Sequence, residues 1–270
     1  MLFAGVDIGS TTSKCVLIDE NASRRVFHCI MTEFNRNRSG EKVLAEALEQ
    51  LGPGAEKELA FVVSTGYGRK AFLRSDKDIP EIIAHAEGTK NLVPGVRTII
   101  DIGGQDSKII SLDECGRVSR FEMNDKCAAG TGRFFEVLTH RLLGIEMEEL
   151  SDCIKAAEDP VEISSMCTVF AESEIISYLS DNVPVPDIAA GTAESIVRRI
   201  IAQAHGARIS FTEPVVFSGG AANNDGIREI FEQQLGRKVR SIDDPQCTAA
   251  LGAAFAAKKE YEKKYENRVE

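Results

Sequence analysis

The stretch VDIGSTTSK (Val6–Lys14) returns as IDIGGQDSK (Ile100–Lys108), with aspartate, isoleucine, glycine, serine and lysine in the same register ninety-four residues later. In each copy a short apolar run precedes the glycine, and a second apolar run, KCVLID or KIISLD, follows it. A strand, a tight glycine turn and a second strand make a β-hairpin. The repeat therefore predicts two halves that are built alike, each beginning with a hairpin.

The turn of each hairpin has the composition of a phosphate-binding loop. Glycine and small hydroxyl residues leave backbone N–H groups open to phosphate oxygens, and Asp7 or Asp101, just before the glycine, can hold Mg²⁺ through waters. The sequence contains no Walker A loop, and a strand rather than a helix follows each turn, unlike a Rossmann fingerprint. We therefore expect the two hairpins to face each other across a cleft and to clamp the β- and γ-phosphates of a nucleotide.

The composition narrows the class of protein. The chain has 270 residues, of which 43% are hydrophobic and 27% charged, as in globular proteins of one large or two smaller domains. The net charge of -10, with no Lys/Arg block, argues against a nucleic-acid partner. No apolar run approaches the ~20 residues of a membrane-spanning helix, and the strand-like start leaves no room for a signal peptide. We expect a cytoplasmic protein without a membrane partner.

A domain boundary is predicted near Val96, in the link NLVPGVR, which divides the chain into residues 1–96 and 97–270. The second part contains PVVFSGGAANN (Pro214–Asn224), a strand that runs into a Gly-Gly turn, and ends in the small-residue helix AALGAAFAAKKEYEKKY. No low-complexity segment or long linker separates the two parts. Each is therefore expected to be an α/β domain.

Two of the seven cysteines, Cys127 and Cys167, stand just before predicted helices, in MNDKCAAGTGRFFEVL and SSMCTVFAESEIISYL. A helix N-terminus stabilises a thiolate and the sulfur atoms of an iron–sulfur cluster. A [4Fe–4S] cluster takes four thiolates, so a symmetric dimer with the cluster on its two-fold axis would supply them. Structural zinc also accepts four thiolates, and two unrelated buried cysteines are the simpler interpretation of the spacing alone. The other five are predicted to be small buried hydrophobic residues: Cys15, Cys29, Cys115, Cys153 and Cys247.

The hairpins, together with VVFSGGAANN, resemble the actin, sugar kinase and heat-shock chaperone ATPase superfamily over essentially the whole chain. This resemblance implies two ribonuclease-H-like α/β domains with ATP or ADP in the cleft between them. It also implies that Asp7 belongs to the Mg²⁺ shell, holding the ion through water, and that Asp101 and Gln105 orient or activate the attacking water. It places Gly219, Gly220 and Ala221 against the adenosine. The remaining nucleotide-binding candidates are Gly9, Ser10, Thr11, Thr12, Ser13, Lys14, Gly103, Gly104 and Gln246.

The segments around the two cysteines carry a narrower resemblance. NDKCAAGTGRFFE, SSMCTVFAESE, STGYGR, IIDIGGQD and the LGAA after Gln246 are similar to segments of the ATP-dependent activators of 2-hydroxyacyl-CoA dehydratases. The ATPase subunits of benzoyl-CoA reductase belong to the same BadF/BadG/BcrA/BcrD ATPase family. The resemblance implies a homodimer with one [4Fe–4S] cluster, bridged by Cys127 and Cys167 of each subunit. Met166 departs from the pattern, which has a small polar residue at that position.

The function implied by this resemblance is an ATPase that passes single low-potential electrons to a 2-hydroxyacyl-CoA dehydratase. Reduced ferredoxin or flavodoxin would supply the electrons, and the dehydratase would carry its own iron–sulfur centre. Three alternatives stay open: an ATPase subunit of a benzoyl-CoA-reductase-like enzyme, an amino-sugar kinase without a cluster, and a regulatory ATPase with a zinc-bridged dimer. The sequence does not name the acyl group.

Overall fold

The structure is a computed structural model that describes residues 1–128, 130–164 and 167–266, so Met166 lies outside the described residues. The chain forms two compact units. The first comprises residues 1–95, 115–118 and the segment from residue 246 onward, and the second comprises residues 96–114 and 119–245. Within the described residues, no helix is long and apolar enough to span a bilayer.

The first unit is built on a five-stranded sheet with the order β3-β2-β1-β4-β5. β1 pairs antiparallel with β2 and parallel with β4. A 3₁₀ turn lies at Arg69–Ala71. The elements of this part of the chain are β1 (Leu2–Ile8), β2 (Thr12–Asp19), β3 (Arg24–Met31), α1 (Arg36–Glu49), α2 (Ala55–Glu58), β4 (Leu59–Thr65), β5 (Lys77–Asp78) and α3 (Glu81–Leu92).

The second unit repeats this arrangement, and its sheet has the order β8-β7-β6-β9-β10. β6 pairs antiparallel with β7 and parallel with β9. The predicted fold of two ribonuclease-H-like domains is thereby confirmed, since both central strands have the same neighbours in the same directions. The elements are β6 (Thr98–Ile102), β7 (Ser107–Leu112), β8 (Val118–Asn124), α4 (Gly132–Glu136), α5 (Leu150–Lys155), α6 (Thr168–Ser180), α7 (Val185–Gly206), β9 (Val215–Ser218), α8 (Asp225–Leu235) and β10 (Val239–Arg240). A π-helical turn, Val137–Leu143, continues α4.

The sequence-based division places the last helix, α9 (Thr248–Tyr261), in the second domain. In the structure α9 packs in the first unit instead. Its small residues allow main-chain contact with β1 and α3. A Cβ atom at Gly5 of β1 would lie 1.9 Å from the Ala250 carbonyl oxygen, and one at Gly252 would lie 1.8 Å from the Ala84 oxygen. Such close approach is open only to glycine, so the glycines of β1 and α9 attach the C-terminal helix to the first unit.

The core of the second unit positions the segment that carries the cysteines. Ile100 and Ile102 of β6 are buried in one cluster with Ile196 and Ile200 of α7. Phe135 of α4 lies in the same cluster. The apolar residues of α7 recur at three- and four-residue spacing, which gives a helix one buried face. β6, α4 and α7 therefore contribute side chains to one hydrophobic core.

Candidate functional site

The first hairpin turn joins β1 to β2 and is closed by its own backbone. The Gly9 N–H donates to the Thr12 carbonyl oxygen at 3.2 Å, and a Cβ atom at Gly9 would lie 2.8 Å from that oxygen. Asp7 and Lys14 are cross-strand partners, and their Oδ2 and Nζ atoms are 3.2 Å apart. The turn thus combines small residues with a paired carboxylate and ammonium group.

The second hairpin turn, between β6 and β7, has the same geometry. The Gly103 N–H donates to the Asp106 carbonyl oxygen at 2.9 Å, and a Cβ atom at Gly103 would lie 2.5 Å from Asp106 Oδ1. Lys108 Nζ lies 3.3 Å from Asp101 Oδ2 and 2.8 Å from Asp106 Oδ1. The sequence repeat is therefore a repeat of three-dimensional structure, with one hairpin in each unit.

Hydroxyl groups stiffen the first turn. The hydroxyls of Ser13 and Thr32 are 2.8 Å apart, and the Thr32 hydroxyl also donates to the Gly9 carbonyl oxygen at 3.1 Å. Ser10, Thr11 and Thr12 are only partly buried. Thr32, on the neighbouring strand end, was not identified by sequence reasoning because its role depends on the β2–β3 pairing.

The two aspartates differ in what they offer a ligand. Among the described residues, Asp7 Oδ1 is buried and has no hydrogen-bond partner, whereas Asp101 Oδ1 accepts from the Ser218 hydroxyl at 2.9 Å and Asp101 Oδ2 faces Lys108. An unsatisfied buried carboxylate oxygen is costly unless a ligand or water completes it. Asp7 therefore fits the outer shell of a Mg²⁺ ion, since such a shell would provide the missing donor.

Gln105, the other catalytic residue predicted in this turn, is more exposed than Asp101. Gln105 is exposed at the tip of the turn, while Asp101 is 2% exposed at its base. Gly103 and Gly104 between them are partly exposed. The turn therefore offers an exposed amide at its tip and a buried carboxylate below it.

The predicted adenosine loop begins where β9 ends, beside the end of β6. Gly219 has a φ of 85°, and a Cβ atom there would lie 2.3 Å from the Ile102 carbonyl oxygen. Its N–H donates to the Pro245 carbonyl oxygen at 2.9 Å, directly before Gln246. Gly220 and Ala221 open a 3₁₀ turn that leads to α8. Parallel strands end at one sheet edge, so the second unit collects its phosphate turn, Asp101 and this loop there.

The two candidate cluster cysteines lie in different local settings. Cys167 is exposed and is the N-cap residue of α6, as predicted. Cys127 is half-buried and lies four residues before Thr131, the N-cap of α4, so only Cys167 stands directly at a helix N-terminus. Asn124 holds Cys127 instead: its Oδ1 accepts from the Cys127 N–H at 3.1 Å, and its Nδ2 donates to the Cys127 carbonyl oxygen at 2.9 Å.

Three of the other five cysteines are less suited to bind metal as thiolates. Burial raises the pKa of the thiols of Cys15, Cys29 and Cys153, which favours the neutral form. Cys247 is buried as predicted, but Cys115 is exposed in the turn between β7 and β8. Within the described ranges, no three side chains of His, Cys, Asp or Glu are grouped as a metal site.

Three hydrogen bonds in and near the Cys127 segment were not predicted from the sequence. The Gly132 N–H donates to the Gly103 carbonyl oxygen at 2.8 Å, and the Arg133 N–H donates to the Gly104 oxygen at 2.9 Å. The start of α4 is therefore hydrogen-bonded to the second phosphate turn. Arg199 of α7 places Nη2 3.3 Å from Cys127 Sγ. The sequence signal for this residue was a charged side chain within the apolar stripe of α7, three residues after Ile196.

The chain is similar over its whole length to known proteins. The model of the BadF/BadG/BcrA/BcrD ATPase family matches residues 4–257. The 2-hydroxyisocaproyl-CoA dehydratase activator of Clostridioides difficile is 40% identical over 99% of this chain and 100% of its own length. The activator of lactoyl-CoA dehydratase of Anaerotignum propionicum is 42% identical over 98% of this chain and 100% of its own length.

A solved structure shows the same likeness. The activator of the 2-hydroxyisocaproyl-CoA dehydratase from Clostridium difficile with bound ADPNP superposes with a TM-score of 0.92 at 39% identity. The match covers 100% of this chain and 98% of that chain. Both units described above are therefore included in the similarity.

Proposed function

Because the chain belongs to the BadF/BadG/BcrA/BcrD ATPase family, we propose that it is an ATPase that activates a 2-hydroxyacyl-CoA dehydratase by delivering single low-potential electrons. The family membership confirms the resemblance drawn from the hairpins and the cysteine segments. An ATPase coupled to dehydratase activation agrees with relatives of about 40% identity that are named as such activators. Those two relatives are named for different acyl groups, so the proposal extends to the class of dehydratase and not to one acyl group.

The observation that carries the proposal is the hydrogen-bonded link between the phosphate turn and the cysteine segment. Gly103 and Gly104 accept from the backbone N–H groups of Gly132 and Arg133, and Cys127 lies just before those residues in the chain. A phosphate bound at the turn therefore acts on a segment only a few residues from a candidate cluster ligand.

The residues present fit an iron–sulfur cluster held by Cys127 and Cys167. Nε and Nη1 of Arg199 are buried and, among the described residues, have no hydrogen-bond partner, and Nη2 of the same group contacts Cys127 Sγ. A cation in that position would stabilise the anionic cluster that this sulfur would hold. When bound, the cluster would supply a one-electron carrier.

The fit implies a homodimer, because two thiolates from each of two chains make the four that a [4Fe–4S] cluster takes. Reduced ferredoxin or flavodoxin is the proposed electron donor, and the dehydratase is the acceptor. In the nucleotide site, Asp7 would hold the Mg²⁺ shell, with Asp101 and Gln105 acting on the attacking water. We place these reactions in the cytoplasm, where ATP and reduced donors are available.

The test is the metal content of anaerobically purified protein. The wild type should show the broad visible absorbance of a [4Fe–4S] cluster, with about two iron atoms per chain. Cys127→Ser and Cys167→Ser should each lose most of the iron and sulfide while the chain stays folded.

Matched controls exist for both cysteines. Cys153→Ser changes another half-buried thiol and Cys115→Ser another exposed one, and both should keep the iron. Zinc in place of iron and sulfide would favour the regulatory ATPase with a zinc-bridged dimer. Full iron in both Cys127→Ser and Cys167→Ser would show that the ligands have been assigned to the wrong residues.

A further inference from the structure

The guanidinium of Arg199, on α7, contacts one of the two candidate cluster cysteines. Its Nη2 donates to Cys127 Sγ at 3.3 Å. Its Nε and Nη1 atoms are buried, and no hydrogen-bond acceptor for either lies among the described residues. Within the part of the chain that the structure describes, the side chain therefore directs one donor nitrogen at the sulfur and has two donor nitrogens without an acceptor.

This arrangement is costly without a negative charge nearby. Arginine keeps its charge at any physiological pH, and a buried charge or an unsatisfied buried N–H group costs free energy unless it is paired. A neutral thiol is a weak acceptor. A thiolate bound to an anionic cluster is a much better partner, because hydrogen bonds between charged groups are stronger than those between neutral groups.

The packing around Arg199 keeps it next to Cys127. Ile196 and Ile200, on the same helix, are buried in the core. The loop after Cys127 lies directly on that helix, because a Cβ atom at Gly130 would be 3.4 Å from the Ile200 side chain. The distance between guanidinium and sulfur is thus set by the contact between loop and helix and not by a flexible surface side chain.

Arg199 also lies close to the start of the second cysteine helix. A cavity of about 230 Å³ is lined by Arg199 and by Thr168, the residue directly after Cys167. Phe134 of α4 and Ser164 line the same cavity. Arg198 also lines this cavity, but of the two arginines it is Arg199 whose guanidinium contacts the Cys127 sulfur. Both cysteine segments therefore border the space beside Arg199.

We propose that Arg199 is a positioning residue that raises the reduction potential of the cluster, so that a ferredoxin- or flavodoxin-class donor can reduce it. The inference rests on the proposed function. One electron passes from the reduced donor to the cluster, which gains one negative charge, and no proton moves because the guanidinium is already charged. A fixed positive charge at a ligand sulfur stabilises the reduced form more than the oxidised form, because hydrogen bonds and charge at the sulfurs set such potentials.

The test measures the ratio of reduced to oxidised cluster in anaerobic protein, poised at one fixed donor potential and read by electron paramagnetic resonance. Arg199→Gln removes the charge and should lower the ratio about ten-fold, which corresponds to ~59 mV for a one-electron couple. Arg199→Lys keeps the charge and should stay within about three-fold of wild type, or under ~30 mV. Arg141→Gln removes an exposed charge from the π-helical turn after α4, at a position that does not line this cavity, and should leave the ratio unchanged.

The outcomes separate this inference from the proposed function. A wild-type ratio in iron-loaded Arg199→Gln would overturn the role of Arg199 and leave the proposed function standing. An equal drop in Arg141→Gln would also overturn it, since the effect would then be one of net charge. If Arg199→Gln retains no iron, Arg199→Lys decides: a ratio near wild type supports the inference, and a ten-fold drop rejects it. Wild-type protein without an iron–sulfur signal would overturn the proposed function and this inference together.

Discussion

The substitution Gly252→Ala tests whether α9 is attached to the first unit by main-chain contact. Gly252 lies in the middle of α9, and a Cβ atom there would be 1.8 Å from the Ala84 carbonyl oxygen and 2.7 Å from the Gly88 nitrogen. Both neighbours are backbone atoms of α3, so no side chain can rotate away. The two helices must separate to accept one methyl group.

The expected cost follows from that geometry. Overpacking a well-packed core costs about 1–3 kcal/mol, and contact with rigid main-chain atoms of α3 sets the value near 3 kcal/mol. Alanine is better than glycine in a helix by about 1 kcal/mol, which leaves a net loss of about 2 kcal/mol. A loss of this size lowers the midpoint of thermal unfolding by roughly 4–8 °C, at ~2–4 °C per kcal/mol.

Gly206→Ala is the matched control. Gly206 is helical like Gly252, but it is exposed, and a Cβ atom there would meet nothing within 4 Å. This variant should keep or slightly raise the midpoint, measured by circular dichroism at 222 nm under the same conditions. A midpoint for Gly252→Ala within 2 °C of wild type (about 1 kcal/mol or less) would refute the reasoning. An equal drop in Gly206→Ala would refute it as well, since contact with α3 would not be the cause.

Three further predictions concern the nucleotide and the cluster. Asp7→Asn should weaken Mg²⁺-dependent ATP binding about ten-fold in a calorimetric titration, because its free Oδ1 serves the metal shell; unchanged binding would remove that role. Asp101→Asn should slow hydrolysis by about 10²-fold or more while ATP still binds, and hydrolysis at the parent rate would exclude it from the reaction. In the wild type, an iron chelator should remove iron faster with a non-hydrolysable ATP analogue than with ADP. Gly132→Ala, whose Cβ would lie 3.0 Å from the Gly103 oxygen, should reduce this difference; equal rates in both nucleotide states of the wild type would rule out the coupling.

The sequence by itself determined the features that depend on local chemistry. A glycine turn between two apolar runs predicts a hairpin wherever it occurs, so the repeat of Val6–Lys14 at Ile100–Lys108 was sufficient to predict two similar halves. The predicted fold followed from that repeat together with the family resemblance, and the strand order of both sheets agrees with it. Cys167 was likewise readable as a helix N-cap, since the N-cap depends on neighbours within one turn.

The tertiary structure decided the features that depend on contacts distant in the chain. Arg199 and Cys127 are 72 residues apart, and no local pattern links an arginine on an apolar stripe to one particular sulfur. The bonds from Gly132 and Arg133 to the phosphate turn join backbone atoms, and backbone groups carry no side-chain signature. The place of α9 in the first unit depends on glycines in three separate elements, whose main chains come into contact only after the sheet and both helices have formed.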